Sequence, residues 1–245
     1  MAADSSAIEW TESSWNPVTG CSKVSPGCAH CYAETLSQRF HWSEQPWTAA
    51  YAAENVVLHT ERLDQPLRWR RPRMVFVNSM SDVFHELVPL SFIREVFEVM
   101  AEAERHVFQI LTKRHERLAE LAAELPWPEN VWMGVSIENR RWVERADCLR
   151  QVPAAVRFIS AEPLLGPLDE LDLDGIHWLI AGGESGHRRR PVREEWVREL
   201  RDRCQAEQVA FFLKQWGGRT PKAGGRLLDG VEWSEMPVMR ARALA

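Results

Sequence analysis

From residue 74 onward, short apolar runs alternate with longer runs in which apolar residues recur every three or four positions. The short runs predict strands and the longer runs predict amphipathic helices. Strands that alternate with helices in this way are typical of parallel βα units. The pattern predicts six strands, at 74–77, 107–111, 131–135, 156–159, 176–181 and 210–213.

The helices between these strands are predicted from their apolar faces. One begins near Ser91, a suitable N-cap, and a later one spans about 194–208. Further upstream, Tyr32 begins a helical spacing that continues at Leu36 and Phe40, so a helix is expected there. Residues 8–10 are a candidate for a seventh strand.

These elements predict an α/β fold, a partial (β/α) barrel of about six or seven parallel strands. A chain of 245 residues suits one such domain, which we assign to residues 1–245. Residues 41–73 are rich in Trp and Arg and show no steady period, so we interpret them as an insertion. Residues 217–245 are interpreted as a C-terminal extension or cap.

Polar side chains follow the ends of all six strands. In a parallel barrel the carboxyl ends of the strands open on one face, where binding sites are built. Helix capping accounts for many of the Ser, Asn and Asp residues, but it accounts less well for the charged residues. The sequence therefore predicts a ligand site formed by Asn78, Ser79, Asp82, Lys113, Ser136, Glu138, Glu162, Glu184 and Lys214.

The overall charge narrows the class of protein. A net charge of −5 argues against a protein that coats DNA without regard to sequence, because such proteins are usually basic. No apolar run reaches membrane-spanning length, and residues 1–6 do not resemble a secretory signal. We therefore expect a cytoplasmic protein with no membrane partner, in which cysteines stay reduced and are available for metal binding or redox chemistry.

Three of the five cysteines form a compact motif. Cys21, Cys28 and Cys31 have the spacing C-x6-C-x2-C, and Pro26-Gly27 predicts a turn in the long spacer. Thiolates are ligands for iron–sulfur clusters and for zinc. Three of them suit a [4Fe–4S] cluster whose fourth iron can take an external ligand. The alternative is a closed Cys3His zinc site completed by a histidine such as His30 or His85.

The chain also resembles a known family. The segments that carry the resemblance are 8–11, 15–21 and 28–32, followed by 161–164, 182–185 and 213–217. They are similar to a phage-associated three-cysteine family of unknown function, which is itself similar to the radical S-adenosylmethionine (SAM) superfamily. That superfamily has a partial (β/α) barrel with a cluster loop after the first strand. The usual spacing there is C-x3-C-x2-C, and here the first spacer is longer, with His30 in place of an aromatic residue.

The resemblance implies a radical SAM-like enzyme. SAM would bind the open iron, and an electron donor would reduce the cluster. Cleavage of SAM would then give methionine and a 5′-deoxyadenosyl radical that abstracts hydrogen from a substrate. Only the cysteines carry over residue by residue. By position, the SAM amino group is assigned to Asn78, Ser79 and Asp82, the SAM carboxylate to Lys113 or Arg114, the ribose to Ser136 and Glu138, and the substrate to Glu162, Glu184 and Lys214.

Two basic runs bear on the substrate, at 68–73 and 187–190. The second closely follows a strand end, so it is expected near the barrel mouth, where it could hold phosphate. A nucleotide or nucleic acid is therefore a candidate substrate, although most charge runs are simply solvated surface. The alternative function is a non-catalytic module braced by a cluster or by zinc, which binds a nucleic acid or a protein.

Overall fold

The computed structural model describes Ser6 and residues 8–238. Strands and helices alternate along most of this part of the chain. The strands are β1 (Ser13–Trp15), β2 (Val18–Thr19), β3 (Val57–Leu58), β4 (Met74–Val77), β5 (Val107–Thr112), β6 (Val131–Ser136), β7 (Val156–Ala161), β8 (Trp178–Gly182), β9 (Ala210–Gln215), β10 (Leu227–Leu228) and β11 (Val231–Glu232). The α-helices are α1 (Tyr32–Arg39), α2 (Ala52–Asn55), α3 (Leu90–Glu102), α4 (His115–Leu121), α5 (Glu144–Arg150) and α6 (Glu194–Ala206).

The central sheet has seven strands in the order β1-β4-β5-β6-β7-β8-β9, and every neighbouring pair is parallel. From β4 onward the spatial order follows the chain order, which is the arrangement of a (β/α) barrel. The sheet forms a half-barrel, so the predicted fold class is confirmed. Because all strands run the same way, their carboxyl ends meet at one mouth.

The six predicted strands are present, most of them one or two residues longer than expected. The seventh strand was predicted at the wrong place. It is Ser13–Trp15, whereas residues 8–10 form a bend and turn. Ser13 and Ser14 are both buried beside β4, and two adjacent serines carry no strand signal in the sequence. The helix predicted near Ser91, with Ser91 as its N-cap, begins at Leu90, and Pro89 occupies the N-cap position.

Apolar side chains fill two layers. The larger one lies between the sheet and the helices, where α3 contributes the face predicted from its sequence. The smaller one fills the inside of the half-barrel and is largely aromatic. Its buried members are Trp10, Phe76, Trp132, Val156, Phe158, Trp178, Ile180 and Phe212. This aromatic layer closes the barrel interior below the mouth.

The segments outside the repeated βα units pack against the sheet. Within residues 41–73, β3 pairs antiparallel with β2 and holds this segment beside the mouth. At the other end, β10 and β11 form a hairpin, and the chain after it pairs with the outer edge of β9. Residues 239–245 of the predicted cap lie outside the described residues. Among the described helices, none has the length and apolar character needed to cross a bilayer.

Candidate active site at the mouth of the half-barrel

The cysteine loop folds over the carboxyl ends of the central strands. It connects β2 to α1 and includes the predicted turn, a 3-10 helix at Pro26–Cys28. The loop begins at Gly20, whose φ of +81° favours glycine and where a Cβ would lie 1.8 Å from Asn55 O. The backbone therefore enters the loop in a conformation and a space that only glycine tolerates.

All three cysteines line one cavity of about 150 Å³. The predicted site residues divide around it. Five of them line it: Asn78, Ser79, Asp82, Lys113 and Ser136. Glu138, Glu162, Glu184 and Lys214 are not among its lining residues, and each is engaged in an ion pair at or behind the mouth.

Asn78 borders the cavity with its amide held in one orientation. The residue directly follows β4 with a φ of 60°, and its N–H donates to Trp15 O at 2.8 Å. Its Oδ1 accepts a hydrogen bond from the N–H of Val18 at 3.2 Å, which fixes the orientation of the amide. The buried Nδ2 then has no hydrogen-bond partner among the described residues.

Ser136 presents a second orphaned group. It ends β6, lines the same cavity, and is 1% exposed. Its hydroxyl is buried and has no partner in the described part of the chain. Trp47 lines the cavity as well, and its buried indole N–H also has no partner among the residues that the structure describes. Buried polar groups in native proteins are normally hydrogen-bonded, so these three groups are open to a ligand or to water in the cavity.

Asp82 is already committed to the protein. Its carboxylate accepts hydrogen bonds from Thr112 Oγ1 at 2.8 and 2.9 Å, and from the N–H groups of Lys113 and Phe84 at 3.1 and 3.0 Å. These bonds join the end of β5 to the loop after β4. Ser79 is similarly occupied, since its hydroxyl donates to Asn16 Oδ1 at 3.2 Å. Both residues border the cavity, but most of their hydrogen-bonding capacity is already used within the protein.

Glu138 supports the cysteine loop from behind. It is 0% exposed, and its Oε2 lies 3.0 Å from Nη1 of Arg145, which is also 0% exposed. Its other oxygen accepts a short hydrogen bond from Ser25 Oγ, within the cysteine loop. A Cβ on Gly27 would lie 2.2 Å from this carboxylate. The predicted ribose contact is therefore not supported for Glu138, which instead anchors the loop.

Cations surround the thiols. Arg114 Nη2 lies 3.8 Å from Cys21 Sγ and donates to Ser22 O and Oγ at 3.0 Å. Burial, reinforced by the charge of Asp82, nevertheless raises the pKa of Cys21 to about 12. Burial also raises the pKa of Cys31, although N–H groups at the start of α1 act to lower it. A metal must therefore displace protons from these thiols when it binds.

Neither histidine of the zinc alternative is arranged to complete a site. His85 Nδ1 accepts from the N–H of Leu87 at 3.1 Å, so its Nε2 carries the proton and faces Ser22 Oγ at 2.9 Å. Burial and the nearby Arg114 lower the pKa of His85 to about 4. His30 Nδ1 instead lies 3.0 Å from Glu184 Oε2. Among the described residues, no three His, Cys, Asp or Glu side chains converge as ligands of one ion.

Glu184 joins the cysteine loop to the basic run that follows β8. Its carboxylate accepts from His30 at 3.0 Å, and from the backbone N–H and the guanidinium of Arg190, the closest contact being 2.6 Å. Burial acts to raise its pKa, but these hydrogen bonds outweigh it and lower the pKa to about 2. Glu184 is therefore an anchor between two segments of the rim.

Replacing Glu184 by glutamine is expected to reduce the stability that the protein loses as pH falls. The folded pKa of about 2 lies below the ordinary value of 4.5. The carboxylate thus contributes stability that is complete above pH 4.5 and is lost as pH falls towards 2. Urea midpoints measured from neutral pH downward should fall less steeply for Glu184→Gln than for the wild type. Glu170→Gln, at an exposed carboxylate, should behave like the wild type; equal slopes for all three would contradict the prediction.

Glu162 and Lys214 form a second pair, at the ends of β7 and β9. Lys214 Nζ lies 2.7 and 2.9 Å from the two carboxylate oxygens. Both side chains keep partial exposure, 18% for Glu162 and 16% for Lys214. Their role as substrate contacts stays a prediction.

Sequence reasoning missed the side chains that hold the loop in place. Glu34 of α1 pairs with Lys23 at 2.8 Å and accepts from the N–H of Trp47 at 2.8 Å, so it joins the cysteine loop to residues 41–73. Asn16 accepts from Ser79 and from the N–H of Met80. Asn16 directly follows β1, a strand that the sequence did not predict, and Lys23 and Glu34 belong to no ligand-like spacing, so the sequence did not mark these residues.

Comparisons with known proteins agree with this architecture. A family model described as "Protein of unknown function (DUF5131)" matches residues 5–237. No curated protein sequence matches the chain significantly. Among solved structures, two mutants of spore photoproduct lyase are similar in fold. A cysteine-to-serine mutant gives a TM-score of 0.53 at 16% identity, covering 86% of this chain and 78% of that chain. A tyrosine-to-phenylalanine mutant gives 0.54 at 15% identity, covering 87% and 78%.

A third similar structure is spore photoproduct lyase complexed with dinucleoside spore photoproduct. It gives a TM-score of 0.50 at 15% identity and covers 86% of this chain and 78% of that chain. At these identities the likeness concerns the fold, which is the expected partial barrel.

Proposed function

We propose that this chain, which belongs to the DUF5131 family, binds a [4Fe–4S] cluster through Cys21, Cys28 and Cys31 and acts as a radical SAM-type enzyme. One observation carries the proposal: the three cysteines share a cavity with three buried polar groups that have no partner among the described residues, Asn78 Nδ2, Ser136 Oγ and Trp47 Nε1. The cysteines would hold the cluster, and Asn78 and Ser136 would receive the cofactor bound beside it.

The donor set fits a cluster better than a single ion. In a cubane each thiolate binds a different iron, so three sulfurs can line a cavity without converging on one point. A zinc site would need a fourth ligand at tetrahedral distance. Both candidate histidines are directed at other partners, Ser22 in one case and Glu184 in the other.

When bound, the cluster would supply an electron that cleaves SAM into methionine and a 5′-deoxyadenosyl radical, the chemistry of the radical SAM superfamily. The chain's own groups would bind and shield the cofactor. Arg114 and Lys113 bring positive charge close to Cys21 and Cys31 and would offset the charge of their thiolates. Phe76 and other apolar lining groups would exclude water.

The free group on Asn78 favours a particular part of SAM. An amide N–H donates, so it suits the carboxylate of SAM, whereas the amino group was the expected contact at this position. The ammonium of Lys113, beside the same cavity, suits the carboxylate as well. Ser136 can donate or accept and is left for the ribose, as expected from its strand.

A nucleotide-type substrate is part of this proposal. Spore photoproduct lyase is a radical SAM enzyme, and one similar structure of it contains a dinucleoside. In the present chain, Arg188 and Arg189 are exposed beside the mouth, in a loop held by the Glu184–Arg190 pair. An external electron donor is required as a further partner.

The proposal is tested by purification without oxygen. The protein should be brown and contain about four irons per chain. After reduction, it should release 5′-deoxyadenosine from SAM. An intact cluster that neither binds nor cleaves SAM would overturn the proposed activity.

Asn78→Asp is expected to weaken SAM binding about tenfold to a hundredfold. The replacement keeps the shape and the acceptor for the Val18 N–H, but it removes the donor and adds a negative charge facing the SAM carboxylate. Equilibrium dialysis of the iron-loaded protein with labelled SAM measures the effect. The matched control is Asn139→Asp, which preserves a cap that accepts from the Arg141 N–H at 3.0 Å, away from the cavity. Equal SAM affinity in both variants would contradict the role of Asn78.

The alternative, a non-catalytic module braced by metal, predicts a different result. Such a protein would retain its metal but release no 5′-deoxyadenosine. Ser25 ties the loop to the barrel through Glu138, and Lys23 ties it to α1 through Glu34. These contacts are compatible with a catalytic or a structural metal, so the release of 5′-deoxyadenosine distinguishes the two functions.

A further inference from the structure

Helix α1 exposes an aromatic side chain at each end, and its buried side chains are small or polar. The buried residues are Ala33, Glu34 and Ser37. Tyr32 is 52% exposed and Phe40 is 53% exposed, with Leu36 between them on the same face. A helix on a protein surface normally turns such a face to the core. An outward apolar face beside a candidate active site indicates a binding surface.

The turn after α1 adds a second ring to this face. The N–H of Trp42 donates to Ser37 O at 2.9 Å and the N–H of His41 donates to Gln38 O at 3.2 Å, the two bonds of a Schellman motif. His41 adopts the required left-handed conformation, with a φ of 55°. This turn stacks Trp42 on Phe40, with ring centroids 5.2 Å apart and an interplanar angle of 24°.

The resulting platform carries a cation. The guanidinium of Arg39 lies 5.7 Å from the centre of the Phe40 ring. Trp42 is 54% exposed, so much of its ring remains free for a third planar group. Flat aromatic faces beside cations are what proteins use to stack unpaired bases.

The platform is continuous with the cavity. Tyr32 lines the cavity and is fixed there by a hydrogen bond from its hydroxyl to Ser79 O, at 2.5 Å. Phe40 follows eight residues later on the same face. At 1.5 Å per residue the two lie about 12 Å apart along the helix, the length of three to four nucleotides at about 3.4 Å each.

Positive charge flanks the other side of the mouth. Glu184 holds both His30, next to Cys31, and Arg190, so the loop between β8 and α6 is fixed at the cysteine loop. Arg188 and Arg189, just before the anchored Arg190, are exposed. Tyr32 contacts Ser79 after β4, so the aromatic surface and the basic loop meet the mouth at different strand ends.

We propose that these two features form a binding site for single-stranded nucleic acid. The site consists of the aromatic platform, defined as Tyr32, Leu36, Phe40 and Trp42, and of the basic pair Arg188 and Arg189. Bases stack on the platform, phosphates meet the arginines, and one base reaches the cavity mouth. The inference deepens the proposed function, on which it rests for the position of the reacting group.

A single strand fits these features better than a duplex does. Base faces are free to stack on aromatic rings only when the bases are unpaired. The net charge of −5 and the small number of exposed cations at the mouth do not suit a surface that follows a duplex backbone. A duplex of the same sequence is therefore expected to bind more weakly than the single strand.

The test is the fluorescence anisotropy of labelled oligothymidylate, oligouridylate and a duplex, titrated with the iron-loaded full-length protein. The double variant Phe40→Ala/Trp42→Ala is expected to weaken single-strand binding about tenfold to a hundredfold, as for the loss of one or two base stacks. Trp42→Phe should retain most of the affinity, because stacking is kept. Leu227→Ala, at a side chain 59% exposed elsewhere, should have no effect.

The basic pair is tested by salt dependence. Arg188→Gln/Arg189→Gln should reduce the slope of log affinity against log salt by about 1.4, at about 0.7 for each lost phosphate contact. No binding of any single strand by the wild type would overturn the site, and so would unchanged affinity in the aromatic double variant with an unchanged melting temperature. Either outcome would indicate that the aromatic platform binds a protein partner instead.

The enzymatic activity and the nucleic-acid site are tested by separate measurements. Release of 5′-deoxyadenosine from SAM is measured without nucleic acid. Specific single-strand binding with no release would support this site and overturn only the enzymatic proposal. Release of 5′-deoxyadenosine by a protein that binds no single strand would overturn only this site.

Discussion

Cys31→Ala is expected to remove the metal from the protein almost completely. Iron should fall from about four atoms per chain to a small residual amount, and the brown colour should disappear. Cys31 occupies the N-cap position of α1, where the backbone N–H groups of the first turn favour its thiolate. A cubane held by three thiolates has no spare ligand, so the loss of one leaves two irons without protein ligands.

The control for this experiment is another cysteine of the same chain. Cys148 is partly exposed on α5 and is not among the residues that line the cavity, so Cys148→Ala should keep its iron and its colour. Iron and zinc are measured together by plasma emission. A colourless wild type with one zinc would contradict the cluster assignment, and so would a Cys31→Ala variant that keeps four irons.

Glu138→Ala is expected to destabilise the fold by about 3–5 kcal/mol, because removing one member of a buried ion pair leaves an uncompensated charge. The charge left behind is that of Arg145, whose side chain is 0% exposed. Its Nη1 also donates to Ser136 O at 2.6 Å, and its guanidinium lies 4.1 Å from the centre of the Trp142 ring. These contacts do not neutralise the charge. The free energy of unfolding in urea measures the loss.

A second variant separates this charge effect from simple loss of packing. Replacing both partners, as Glu138→Leu/Arg145→Met, should recover much of the stability lost in Glu138→Ala, because no charge is then buried. Glu162→Ala removes one member of a partly exposed ion pair, so it should lower the free energy of unfolding by only about 1 kcal/mol. A loss below about 1 kcal/mol in Glu138→Ala would contradict the importance of this buried charge.

Glu138 variants should also bind iron less tightly. The carboxylate accepts from Ser25, which lies three residues before Cys28 in the cysteine loop. The Glu138→Leu/Arg145→Met variant restores the charge balance but not this anchor. It should therefore approach the wild type in stability and still lose iron faster to a chelator.

The sequence predicts the sheet better than it predicts what the side chains contact. Apolar runs flanked by helices mark β4 to β9, because the two faces of a parallel strand are both buried. The same rule misses β1, whose two serines are buried by tertiary packing. For α1, the spacing of Tyr32, Leu36 and Phe40 predicts the helix correctly, but spacing cannot tell whether the face turns to the core or to solvent.

In the candidate site, too, the sequence predicts the positions of residues better than their contacts. The position of Asn78 and Ser136 at strand ends follows from the alternation of strands and helices, and both line the cavity. The roles of Glu138 and Glu184 do not follow from it. Their partners Ser25 and His30 are 113 and 154 residues away in sequence, and such pairings form only when the chain is folded.

The aromatic layer inside the half-barrel gives this protein a built-in optical reporter. Phe76 belongs to that layer and also lines the cysteine cavity, while Trp10 packs on it at a ring separation of 4.8 Å. Trp178 lies 6.1 Å from Trp10 and 6.0 Å from Trp132. Indoles so close to a chromophore that absorbs their emission lose their excitation to it, so the intrinsic fluorescence of the protein should dim as iron is loaded and recover when it is removed. Cofactor occupancy could then be followed in real time, without a label and without consuming the sample.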